Sequence, residues 1–122
     1  MRRCPILLLP FLTLAPVAAH ATDISGLWEL STTINQTPVV IHCSVLQVGV
    51  ALTGWCKPET GGINPSPLTG RLELKTATWG YDVTFNGRVN HVAYSATLTS
   101  AATMDGTLLG TGAPASFTAV RR

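Results

Sequence analysis

Beyond its first residues the chain never holds a helical 3.6-residue period for two turns; apolar and polar residues alternate instead, in short runs rich in Thr, Val, Ser and Gly. Alternation at period two sends one side of each run into a core and the other into water, which confines the chain to an all-β fold. Candidate strands cover 27–33, 39–48, 51–57, 68–74, 77–85, 88–99, 107–109 with some extension, and 115–120. Most connections between them are tight, so each strand is expected to pair with the next. Eight strands of this length close into a small up-and-down (meander) β-barrel, with a two-sheet sandwich as the other arrangement.

Two hairpins have a register that follows from their turns. A two-residue turn at Gly49-Val50 pairs Val48 with Ala51 and places Cys43 directly opposite Cys56. Counted from the turn, that pair occupies a non-hydrogen-bonded site, where the Cα atoms lie close enough for a disulfide. Closing so short a loop contributes on the order of 2–3 kcal/mol and pins the register. With no His on the same face and no Cys-x-x-Cys, a structural bridge is preferred to a metal or redox site. The second hairpin turns at Asn86-Gly87, which sets Trp79 against Tyr94, Tyr81 against Val92 and Asp82 against His91. Trp79, Tyr81 and Val83 then share an inward face. Asp82 and His91 share the outer one, where a solvated pair is expected rather than a catalytic one.

The N-terminal residues carry an address. Arg2 and Arg3 precede an apolar run from Pro5 to Ala19 that is interrupted by Pro10 and Pro16 and ends on Ala19-His20-Ala21. A basic start, a short apolar stretch and a small-x-small end are the marks of a cleavable secretion signal, so residues 1–21 are read as the leader and 22–122 as one barrel domain, secreted or periplasmic. Cys4 lies in the leader, ahead of the apolar run, so no lipid-anchoring cysteine is placed. The mature chain has no further apolar stretch long enough to span a membrane. The eight Lys and Arg include Arg2 and Arg3, so the remaining basic residues balance the six Asp and Glu. A chain without net charge or a basic patch has no means of steering toward nucleic acid.

Reactive groups are sparse. Outside the leader there are two histidines, His42 and His91, no thiol once Cys43 and Cys56 pair, no nucleophile elbow and no carboxylate cluster at metal spacing. No catalytic residue, metal ligand or cofactor is therefore assigned, and the protein is not read as an enzyme. His42, on the face of Val40 and Leu46, is read as a core or barrel-lining histidine. Asn35-Gln36-Thr37 has the form of a glycosylation sequon and is read as a chance occurrence. The longest connection runs from Pro58 to Pro67, and its Pro and Gly content makes it a loop, either a binding element or a plain linker. The segment 110–114 reads as a turn.

The opening Ile24-Ser25-Gly26-Leu27-Trp28 places a Gly-x-Trp at the start of the first strand, and by this mark the chain resembles the calycin group of lipocalin-like barrels. The resemblance implies that Trp28 packs across one end of the barrel and that an Arg at the end of the last strand, Arg121 by parity with Phe117 and Ala119, lies over it. Within the group the chain is similar to small secreted bacterial proteins, largely without assigned function, that share Cys43, Leu52-Thr53-Gly54-Trp55-Cys56 and Phe117-Thr118-Ala119. Bacterial inhibitors of secreted metalloproteases share the Ser-Gly-x-Trp opening and an early disulfide, and insert a free N-terminus into the protease cleft; here the mature start, Thr22-Asp23-Ile24, is shorter. Avidins share Gly-x-Trp and Ser66-Pro67-Leu68-Thr69-Gly70 but rely on later tryptophans, and this chain has none after Trp79.

The functional expectation is an exported, monomeric binding protein that takes a small apolar or amphipathic ligand, or contacts a partner, through its open end and the Pro58 to Pro67 loop. Trp28, Leu30, Trp79, Tyr81, Val83, Val92, Tyr94 and Phe117 are expected inside, with Trp28, Trp79, Tyr81, Tyr94 and Phe117 as the ligand-binding candidates and Gly26, Cys43, Cys56 and Arg121 as structural ones. The competing classes are an inhibitor of an extracellular protease and an envelope protein whose interior is filled by its own side chains. Buried Tyr81 and Tyr94 each require a hydrogen-bond partner, met by a ligand, a water or a backbone carbonyl.

Overall fold

The computed structural model describes residues 23–85 and 87–122; the expected leader and its cleavage site, and Asn86 of the second turn, lie outside the described residues. Eight strands succeed one another: β1 (Gly26–Ile34), β2 (Thr37–Val48), β3 (Ala51–Pro58), β4 (Ser66–Glu73), β5 (Thr76–Phe85), β6 (Arg88–Ser100), β7 (Thr103–Leu109) and β8 (Ala115–Arg121). Each pairs antiparallel with the next and β8 returns to β1, giving a closed up-and-down barrel. Closure satisfies the backbone groups that an edge strand would expose and removes the template on which another chain could pair.

Both turn-derived registers are present. Val48 pairs with Ala51 and Cys43 with Cys56, and those cysteines are bonded across a Cα–Cα distance of 4.0 Å. Trp79 pairs with Tyr94, Tyr81 with Val92 and Asp82 with His91. Gly49 takes the left-handed conformation, φ 62°, at the first turn position, which a side chain would resist. Gly54 in β3 answers a different need: a Cβ there would lie 1.8 Å from the Ser44 carbonyl oxygen, so the second and third strands can approach only with glycine at this site.

The inward residues of all eight strands form one core, with Trp28, Leu30, Leu52, Leu68, Met104 and Leu108 among the fully buried side chains. Both cysteines are buried within it. Thr, Ser and charged residues dominate the outer face, the inverse of a lipid-facing barrel wall with its outward apolar band. No helix among the described residues is long and apolar enough to cross a membrane.

Four local expectations require correction. His42 is neither a core nor a lining residue: it lies half-buried on the outer face, opposite Glu29, because the Val40–Leu46 parity points outward while Ile41, Cys43 and Val45 point in. β2 begins at Thr37, since Asn35 and Gln36 both adopt positive φ (51° and 69°) and form the tight turn themselves. Leu74 belongs to the next turn, at φ 57°, and is almost fully exposed. β7 starts at Thr103, four residues before the run 107–109, carrying Met104 into the core and placing Gly106 opposite Ala96.

Candidate functional site at the open end of the barrel

The chain enters the barrel at the end where β1 starts and β8 finishes, and this end is plugged. Trp28 is fully buried, and its indole Nε1–H donates to the carbonyl of Ile24 at 2.8 Å, folding residues 23–25 beneath the ring. Ile24 is itself fully buried, and its backbone N–H donates to Gln47 Oε1. Arg121 pairs with Trp28 across the β1–β8 seam and sets its guanidinium 5.1 Å from the ring centroid, a cation–π contact. The same guanidinium donates to the carbonyls of Ser25, Asp23 and Ala101. Gly26, at φ 138°, lets the chain turn into β1 directly against the Arg121 stem. Hydrogen bonds from the Ser25 backbone and hydroxyl hold the Asp23 carboxyl below the usual carboxylate range. Gly26, Trp28 and Arg121 therefore form one closure, the arrangement that the Gly-x-Trp resemblance implies.

Above the plug, aromatic rings fill the middle of the lumen. Trp79 stacks on Tyr94 with centroids 5.0 Å apart and planes 7° from parallel, and Phe117 meets both rings edge-on. Trp28, Trp79 and Phe117, three of the five sequence-derived ligand candidates, are buried in the core and do not line the cup at the other end.

The opposite end remains open. Between the β1–β2, β5–β6 and β7–β8 turns lies a cup of about 220 Å³, walled by Ile34, Val39, Ile41, Val83, Val92 and Leu108, with Pro58, Asn90, Gly110 and Thr111 also lining it. The other two ligand candidates, Tyr81 and Tyr94, are the aromatic residues of this lining. Their hydroxyls hydrogen-bond each other at 2.5 Å, so the partner that each needed is the other. Burial pushes both phenols above the ordinary tyrosine range, Tyr94 further, and the adjacent Tyr81 adds to the rise at Tyr94. Thr111 Oγ1 is buried and has no hydrogen-bond partner among the described residues. Ile34, Val39, Ile41, Asn90, Leu108 and Thr111 were not singled out from sequence. For Ile34 and Val39 the signal was their inward parity with Leu30 and Ile41; for Thr111, inside a Gly-rich turn, there was none. Of the loop 58–67, only Pro58 reaches the cup.

The outer face bears a wider, shallower depression of about 470 Å³ over Gly80 and Ala93, edged by His91 and by the hydroxyls of Thr78, Ser95 and Thr107. His91 Nδ1 lies 2.8 Å from Asp82 Oδ1, with both side chains 66% exposed. The pair is solvated, as expected, and no nucleophile accompanies it in the hydrogen-bond network. No group of three or more His, Cys, Asp or Glu side chains suited to a metal ion occurs among the described residues.

No family model and no curated protein matches the chain. Among solved structures it is similar to a redesigned β-barrel, at a TM-score of 0.58 and 13% identity, over 81% of this chain and 90% of that one. At that identity the likeness establishes the fold alone: a closed, eight-stranded, antiparallel up-and-down barrel.

Proposed function

We propose that this is an exported, calycin-like binding protein that holds one small apolar molecule in the cup at its open end. One observation carries the reading: Trp28, Trp79, Tyr94 and Phe117 are buried in the lower and middle lumen, with the Trp79 indole N–H unpartnered among the described residues, yet about 220 Å³ remains at the mouth with largely aliphatic walls. A cavity of ~150 Å³ takes benzene, so the cup suits a ligand of about nine non-hydrogen atoms. Apolar walls with a few convergent polar groups are the usual composition of a small-molecule site. The buried disulfide is compatible with an oxidising compartment outside the cytoplasm, in keeping with the basic and apolar leader.

The inhibitor reading is less well supported. Ile24 is buried and Arg121 ties down Asp23 and Ser25, so a chain cut after Ala21 has only Thr22 ahead of the anchored segment. A purely structural, filled barrel accounts for the middle of the lumen and leaves the cup without a purpose.

Native mass spectrometry of the protein purified from its producing cells tests the reading. The expected spectrum shows an adduct that denaturation releases and that is lost in Val83→Phe, a substitution that fills the cup from one wall. A bare mass for the wild-type protein, together with no binding of apolar compounds of this size, would sink the proposal.

A further inference from the structure

Hydrogen-bond accounting in the cup narrows the ligand class. Two phenolic O–H groups line it, and the Tyr81–Tyr94 bond uses one of them as donor. The second O–H has no other acceptor among the described residues, and neither has the hydroxyl of Thr111. The lining thus holds two unspent hydroxyl donors between aliphatic walls. Asn90 stands exposed at the rim, where solvent serves its amide. Among the described residues no Lys, Arg or His lines the cup, so a carboxylate or phosphate would enter without a counter-charge from them, at a desolvation cost that donors alone do not offset.

Resting on the binding role proposed above, we infer that the cup selects an uncharged ligand whose polar end is a bare acceptor: a carbonyl oxygen, as in a small ketone, ester or lactone. A carbonyl oxygen has two lone pairs and nothing to donate, which matches two donors in want of acceptors. A hydrocarbon of the same shape would fill the walls and leave both hydroxyls unsatisfied, and a site whose polar groups are stranded rejects the analogue that lacks the matching group.

The test compares acetophenone with α-methylstyrene, in which C=CH2 replaces C=O at nearly constant shape. Binding is followed by amide chemical-shift titration at Ile41, Val92 and Leu108 in the intact mature protein. The expected result is about tenfold tighter binding of the ketone, the size of one well-made hydrogen bond. In the paired substitution Tyr81→Phe with Tyr94→Phe, which removes both phenolic hydroxyls at constant shape, the preference should fall to less than about threefold, with the alkene binding at least as tightly as to the wild type because it no longer strands them. Thr111→Val, at the rim, provides an independent arm should the paired change perturb folding, and it should lower the preference without touching the core. Equal wild-type affinity for the two probes overturns the carbonyl assignment and leaves the cup as an apolar site. A preference that survives in every variant that folds also overturns it, because these donors are then not its source. Absence of shifts with either probe overturns both the assignment and the binding role beneath it.

Discussion

The two ends of the barrel solve the same problem in opposite ways. At the closed end a single arginine reaches three backbone carbonyls and covers a buried indole, and the indole in turn ties the incoming segment beneath it. No buried side-chain polar atom in that network lacks a partner among the described residues. At the open end, short aliphatic side chains such as Val39 and Val83 do not reach across the mouth, and hydroxyl donors are left over. The comparison sets an end tied down by polar contacts against an end that leaves hydroxyls without partners: a folded interior need not be filled throughout if one end is tightly closed.

Three measurements would break or sharpen that contrast. The largest effect belongs to the closed end. Trp28→Ala removes a fully buried ring, its bond to Ile24 and the Arg121 contact, and should lower unfolding free energy by about 3–5 kcal/mol in urea titrations. A loss under 1 kcal/mol would mean that the plug does not stabilise the barrel.

Next comes the cup, read by pH. The chain has two tyrosines and both line the cup, so tyrosinate absorbance at alkaline pH reports this site alone. Burial raises both folded pKa values above the unfolded one, so between these limits the unfolded chain has released protons that the folded chain retains. Stability is therefore full below roughly pH 10 and falls above it, by about 1.4 kcal/mol per tyrosine per pH unit. Tyrosinate should appear together with unfolding rather than ahead of it. Ionisation of either phenol near pH 10 in a chain that keeps its native circular dichroism would contradict a dry Tyr81–Tyr94 pair.

The smallest effect is expected between the two ends, on the outer wall. His91→Ala breaks an exposed hydrogen bond to Asp82 and should shift stability by no more than about 0.5 kcal/mol, leaving probe binding in the cup unchanged. A tenfold loss of binding would place the functional surface on the outside of the barrel instead.

How much of this was legible in the sequence depended on whether a signal was local. Gly49 and Gly87 mark turns by backbone chemistry, and once a turn is placed, period two propagates the register along both strands; Cys43 against Cys56 and Trp79 against Tyr94 follow from counting alone. The Asn35-Gln36 turn escaped because, although Asn often takes positive φ, Gln36 rarely does and no glycine follows Asn35 to complete the usual two-residue signal. The start of β7 is hidden because Gly106 leaves an inward position without a side chain, whereas in the barrel it makes room: a Cβ there would lie 2.2 Å from the Ser95 carbonyl oxygen. The open end and four of the residues that line it, Tyr81, Val83, Val92 and Tyr94, could be read, but the size and shape of the cup could not. Parity shows that a side chain points inward, but whether the inward side chains of eight strands meet across the axis depends on where each ring lies, and sequence spacing carries no record of that.

The seam between the first and last strands also fixes how the molecule can be held. Asp23 and Arg122 leave the barrel at the same end, with the Arg122 amide bonded to the Leu27 carbonyl, and that end lies opposite the mouth. A tether or surface joined beyond Arg122 therefore approaches from the base and leaves the rim pointing away.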